Sequence, residues 1–136
     1  MTPRPSPATR RALTVLGPLE AEIMGAAWSG TLSQPFAVRD VANLLSRLAY
    51  TTVMTTVQRL ATKGLLTAAA GRGPHGHRYT VRETPDVFLR RMSQREVQTA
   101  VDRFGDAALA AFADQLDRLS AAERARLDRL AAGDLA

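Results

Sequence analysis

Apolar positions recur at helical spacing in three stretches of the first half of the chain and three of the second, with an alternating segment between them. Leu19, Ile23, Ala26 and Ala27 share one side of a helix predicted over Pro18–Trp28. Pro18 suits a first helical position, where its missing N–H costs nothing, and Glu20 and Glu22 suit the positive end of the helix. Ser29 and Gly30 end it. The segment TLSQPFAV contains a proline and has room for at most a short strand near Phe36–Val38. A second helix is predicted over Arg39–Arg47, with Val41, Leu44, Leu45 and Leu48 on its apolar side. The third, over Tyr50–Lys63, reads YTTVMTTVQRLATK and stops at Gly64, a residue suited to the position after a helix end.

That third helix has two unlike faces. At about 100° per residue, Val53, Thr56, Val57, Leu60 and Gly64 fall on one side. Thr51, Met54, Thr55, Gln58 and Thr62 fall on the other, flanked by Arg59. The second face holds hydroxyls, an amide and a thioether where a solvated helix would mix Glu and Lys. Threonine lowers helix propensity, so five of them between residues 51 and 62 need a reason.

Leu65–Ala70 then reads as a strand, GRGPHG as a tight turn, and His77–Arg82 as the antiparallel partner. Beyond Thr84-Pro85-Asp86 the pattern is helical again, over about Val87–Phe104, Asp106–Leu116 and Ala121–Ala132. Ser120 and Glu123 form a capping box for the last of these. The glycines Gly71-x-Gly73-x-x-Gly76 match a dinucleotide fingerprint in letters only. That motif needs a helix after its third glycine, and here a strand follows.

Helix, helix, helix, hairpin is the order of a winged helix-turn-helix domain. The expected fold is mainly α with a small β-hairpin wing, followed by a C-terminal helical dimerisation region. The third helix would enter the major groove, where Gln suits adenine, Arg suits guanine and Met can meet a thymine methyl. The residues expected to meet DNA are Thr51, Thr52, Met54, Thr55, Gln58, Arg59 and Lys63 on this helix. On the wing they are Arg72, His75 and Arg78, beside a glycine turn that lets the backbone lie close to phosphate.

Charge supports this division of labour. Residues 1–82 carry ten basic and three acidic side chains, whereas residues 83–136 carry eight basic and ten acidic. Only the first part suits a polyanion. The Pro-rich, basic opening MTPRPSPATRR lacks an apolar stretch behind it, so it reads as a flexible arm rather than a secretory signal. No run of eighteen apolar residues exists, so no membrane insertion is expected. The absence of cysteine removes disulfides and thiolate sites and fits a reducing cytoplasm. Two histidines without further ligands nearby do not make a metal site, and no nucleophile–base pair suggests an enzyme. No cofactor is expected.

In the second part Phe88, Met92, Val101, Phe104, Leu109, Phe112, Leu116, Leu119, Leu127 and Leu130 recur at helical spacing. Helices appended to a winged helix have little surface of their own chain to cover, so these side chains predict a homodimer. A two-fold dimer would read a palindromic operator in double-stranded DNA. The predicted division is an arm at 1–15, a winged-helix domain at 16–83 and a helical dimerisation domain at 84–136. The alternative is a protein-interaction module whose winged helix docks a partner without reading DNA sequence.

The segments LGPLEAEIMGAAW (16–28), FAVRDVANLL (36–45) and above all LAYTTVMTTVQRLATKGLL (48–66) resemble the BlaI/MecI penicillinase-repressor family. HRYTV and FADQLDRLSAAERARL (112–127) continue the likeness. The resemblance implies a cytoplasmic, nucleoid-associated homodimeric repressor, with the N-terminal domain on an inverted repeat and the C-terminal helices as dimer interface. Members control β-lactamase or an alternative penicillin-binding protein, and a membrane sensor-protease relieves repression by cutting at an Asn-Phe bond. The pair matching that bond here is Ala111-Phe112, which departs from the family's cleavage rule. Copper-responsive relatives use cysteines near the C-terminus, and this chain has none. Thr51 stands where some relatives have a basic residue, so the resemblance does not carry over an operator sequence.

Overall fold

The computed structural model describes residues 4–71 and 76–133. In chain order come α1 (Pro7–Val15), α2 (Pro18–Trp28), α3 (Val38–Leu44), α4 (Tyr50–Thr62), β1 (Leu66–Ala70), β2 (His77–Val81), α5 (Pro85–Phe104), α6 (Asp106–Asp117) and α7 (Ala121–Ala131). The chain divides into two compact units, one ending at Met92 and the other starting at Ser93. This division falls inside α5.

One apolar cluster builds the first unit. Ile23, Met24 and Ala27 of α2, Val41 of α3 and Val53, Val57 and Leu60 of α4 are buried together with Phe36, Leu65, Leu66 and Tyr79. Burying one such aliphatic side chain contributes about 1.5–3 kcal/mol. A threonine in a helix costs at most about 0.7 kcal/mol relative to alanine. The buried stripe therefore outweighs the poor helix propensity of the threonines beside it. At its end, α4 closes in a Schellman arrangement: the Leu65 amide donates to the Leu60 carbonyl at 3.0 Å and the Gly64 amide to Ala61 at 3.1 Å. Gly64 takes φ +89°, the left-handed region that a side chain resists.

The hairpin pairs Leu66 with Val81 and Ala70 with His77. A Cβ on Gly71 would lie 2.0 Å from the Gly76 carbonyl oxygen, so the tip accepts only glycine there. The expected strand near Phe36–Val38 reduces to a single bridge, in which Phe36 and Tyr79 exchange backbone hydrogen bonds of 2.8 and 2.9 Å. α3 stops at Leu44, because Leu45 leaves helical geometry at φ −111° and ψ 53°. That change of backbone buries Leu45 and leaves Leu44, expected on the apolar side, exposed.

The stretch expected to be an arm is helical from Pro7 onward. Pro7 occupies the first turn, where proline is tolerated, and the Ser6 hydroxyl accepts the Thr9 amide at 3.1 Å. Ala12 is fully buried in the apolar cluster, which fixes α1 on the first unit.

Phe88 and Met92 also differ from expectation. Phe88 is 2% exposed and belongs to the core of the first unit, with its ring centroid 6.3 Å from that of Trp28; Met92 packs against the same cluster. Both lie on the first turns of α5, which cover the winged helix before the second unit begins.

In the second unit, Ser120 and Glu123 cap α7 reciprocally, each side chain accepting the other's amide at 3.1 Å. The Ser120 backbone amide, followed by its hydroxyl, holds the Glu123 carboxyl below its ordinary range. Arg124 donates to the Leu116 carbonyl at 2.7 Å and so serves the end of α6. Among the described residues of this unit only Ala108 is buried, while Phe104 and Leu109 are 57% and 54% exposed.

The reassignment of Phe88 has a direct consequence. Phe88→Ala should lower the stability of the first unit by about 3–5 kcal/mol, read from urea melts, while Phe104→Ala should change it little. A Phe88→Ala protein that keeps parental stability but loses self-association would return Phe88 to a dimer interface.

Candidate nucleic-acid interface

The buried stripe of α4 decides what its other side presents. With Val53, Thr56, Val57 and Leu60 inside, Thr51, Thr52, Thr55, Gln58 and Arg59 stand exposed. The Thr56 hydroxyl turns inward and donates to the Thr52 carbonyl at 2.9 Å, and Thr62 likewise donates to the Gln58 carbonyl at 3.0 Å. No acidic residue lies in α4, and Arg59 has no ion-pair partner among the described residues. Met54 departs from its expected place: it is half-buried and packs against the core, since it borders Val53 and Val57 rather than opposing them.

Between the first turn of α2 and this face lies an open hollow of about 460 Å³, lined by Gly17, Glu20, Thr51, Thr55 and Arg59 among others. Glu20 is a carboxylate inside a surface otherwise suited to a polyanion. Lys63 answers it. The lysine Nζ donates to Glu20 Oε1 at 3.0 Å and lies 2.9 Å from Oε2, an atom with no hydrogen bond of its own among the described residues. Lys63, expected to meet DNA, is paired with Glu20 and keeps about half of its side chain exposed. The signal was a carboxylate sharing a helix face with Ile23, Met24 and Ala27, where a charge needs a partner.

A second polar group was also missed from the sequence. Arg91 of α5 donates through Nε to Glu83 Oε2 at 2.7 Å and through Nη2 to Glu83 Oε1 at 2.8 Å. The same Nη2 donates to the Lys63 carbonyl at 2.7 Å, at the end of α4. The Trp28 indole donates to the Glu83 carbonyl at 2.9 Å. Hydrogen bonding to Glu83 raises the Arg91 pKa beyond its ordinary value.

On the wing, Arg78 is exposed, opposite Ala69. Arg72 and His75 lie outside the described residues. Tyr79 is buried beneath the hairpin, and burial, aided by Tyr50, pushes its hydroxyl pKa up. β2 directly follows Gly76, so the glycine motif serves a hairpin and leads into no helix.

Of the residues expected at a dimer interface, Phe104, Leu109, Phe112, Leu116 and Leu130 are exposed, and Val101 and Leu127 are half-buried. Ala111 and Phe112 lie within α6, both accessible. Among the described residues no group of three or more His, Cys, Asp or Glu side chains could hold a metal ion. None of the described helices is long and apolar enough to cross a membrane.

Comparison with known proteins adds identity to this geometry. The protein called transcriptional regulator BlaI, from two strains of Mycobacterium tuberculosis (CDC 1551 / Oshkosh and ATCC 25618 / H37Rv), is 49% identical over 70 residues. Those residues are 49% of this chain and 48% of each relative, so the match spans about half the length of either protein. No solved structure matches the chain significantly. The penicillinase repressor family matches residues 16–132, from two residues before α2 to one residue past α7. A match over that span, carrying the helices, the hairpin and the C-terminal helices together, means that the chain belongs to the penicillinase repressor family.

Proposed function

We propose that this protein is a homodimeric transcriptional repressor that binds a palindromic operator in double-stranded DNA, with α4 of each copy in the major groove. The observation that carries this reading is the outward face of α4. It joins Thr51, Thr55, Gln58 and Arg59 on an exposed surface without an acidic residue. A major groove about 12 Å wide admits one helix, and these side chain types match base edges there. Glu20 would repel the backbone phosphates, but its ion pair with Lys63 cancels that charge locally. Arg78 on the wing suits a phosphate contact that adds affinity without choosing sequence. The names of the family and of its mycobacterial relatives point the same way.

Dimerisation rests on the second unit. Phe104, Leu109, Phe112 and Leu116 are uncovered in the single chain, and a second copy of the same surface would bury them. The repressor would act in the cytoplasm without a cofactor. Release would run through these helices, because a weaker dimer binds two half-sites less tightly. A protease acting at Ala111-Phe112 would first need α6 to open locally, since a helical peptide cannot lie extended in an active site.

Two measurements test the reading. Gln58→Ala or Thr55→Ala should weaken binding to the preferred genomic fragment by about 1–3 kcal/mol per lost base contact and leave binding to random duplex nearly unchanged. Equal losses on both DNAs would mean that α4 meets only the backbone. For assembly, Leu109→Asp combined with Leu116→Asp in the full chain should shift sedimentation from dimer to monomer and lower operator affinity at least tenfold. A doubly substituted protein that still sediments as a dimer would place the interface elsewhere.

A further inference from the structure

The last carbonyls of α4 are served in two ways. Those of Leu60 and Ala61 accept amides from the residues that follow the helix. The carbonyl of Lys63 accepts from the side chain of Arg91, the seventh residue of α5, at 2.7 Å. We propose that Arg91 is a positioning residue for DNA recognition: it fixes the C-terminal end of α4, and with it the rotation of the exposed face about the helix axis.

The geometry is specific to arginine. Its planar fork reaches both Glu83 oxygens and the Lys63 carbonyl at once, at 2.7–2.8 Å. Lysine, a single flexible ammonium, cannot span the same three acceptors in one plane. The guanidinium also places positive charge at the negative end of a helix. Glu83 is 8% exposed, so it is held in turn: its carboxylate needs the guanidinium, and its own carbonyl accepts the Trp28 indole at 2.9 Å. The chain of contacts thus runs from the end of α4 through Arg91 and Glu83 to the end of α2. Phe88 and Met92, on the same side of α5, seat that helix in the core and keep Arg91 in reach. At the opposite end of α2, Glu20 holds the Lys63 side chain, so the residue that ends α4 is gripped by its ammonium and by its carbonyl.

This role rests on the reading of α4 as the DNA-reading helix, and the test separates the two claims. Arg91→Lys and Arg91→Ala are made in the full chain, and amide exchange is followed without DNA. Both variants should lose about tenfold or more of the protection of Ala61, Thr62 and Lys63, while amides of α2 keep theirs. The preference for the best-bound duplex over random duplex should then fall about tenfold in Arg91→Lys, with an unchanged salt slope, because no phosphate contact has been removed. Unchanged protection at the end of α4 would overturn the proposal. So would loosening spread evenly through the first unit, including outright unfolding of both variants, since that describes a general stabilising pair. A loosened helix end with full DNA preference would overturn it as well. If the parent protein itself shows no preference among duplexes, the repressor reading fails, and exchange alone then judges whether Arg91 anchors α4.

Discussion

Everything proposed for this protein depends on how α4 is seated. Val53, Val57 and Leu60 share one apolar cluster with Ile23, Phe36 and Val41, and that burial fixes the rotation of the helix. Once those residues are inside, helical geometry alone places Thr51, Thr55, Gln58 and Arg59 outside. The apolar contacts therefore do two things. They stabilise a helix that five threonines would otherwise weaken, and they choose which side chains are offered to a partner.

Apolar packing sets the rotation, and polar contacts tie the end of the helix to α2 and α5. Two nearly buried carboxylates, Glu20 and Glu83, lie beside α4 and each takes a cation. A buried carboxylate left alone is costly, so each of these cations is held where its acid lies. Arg91 thereby becomes part of the scaffold, while Lys63 keeps about half of its side chain exposed. Arg59, Lys63 and Arg78 are the exposed basic residues among the described ones singled out from the sequence for DNA contact.

The periodic elements were legible in the sequence. α2 runs between the predicted residues, and α4 and both strands end within one residue of expectation. Strong period and clear stops, such as Gly64, explain that success. The errors have separate physical causes. Ser6-Pro7 is a helix start, but the prolines before it suggested a disordered arm. Phe88 and Met92 were grouped with later apolar residues by spacing, which records that a face is buried and not what buries it. The pairing of Lys63 was not legible because its partner, Glu20, lies forty-three residues away in the chain. Glu83 and Arg91 were silent for a related reason: a charged pair becomes visible only when the fold brings α5 back over α4.

The second unit carries the opposite pattern, with apolar side chains exposed and one small residue buried. Such a surface suits assembly, and assembly would turn two copies of α4 into a reader of two half-sites. The most direct test of that account is selection of the full-length protein on a library of random duplexes, followed by sequencing of the bound pool. The account predicts enrichment of an inverted repeat whose half-sites lie one or more helical turns apart, about 10 base pairs each. Enrichment of a single unpaired site would contradict the dimer, and a pool as random as the input would contradict sequence reading by α4.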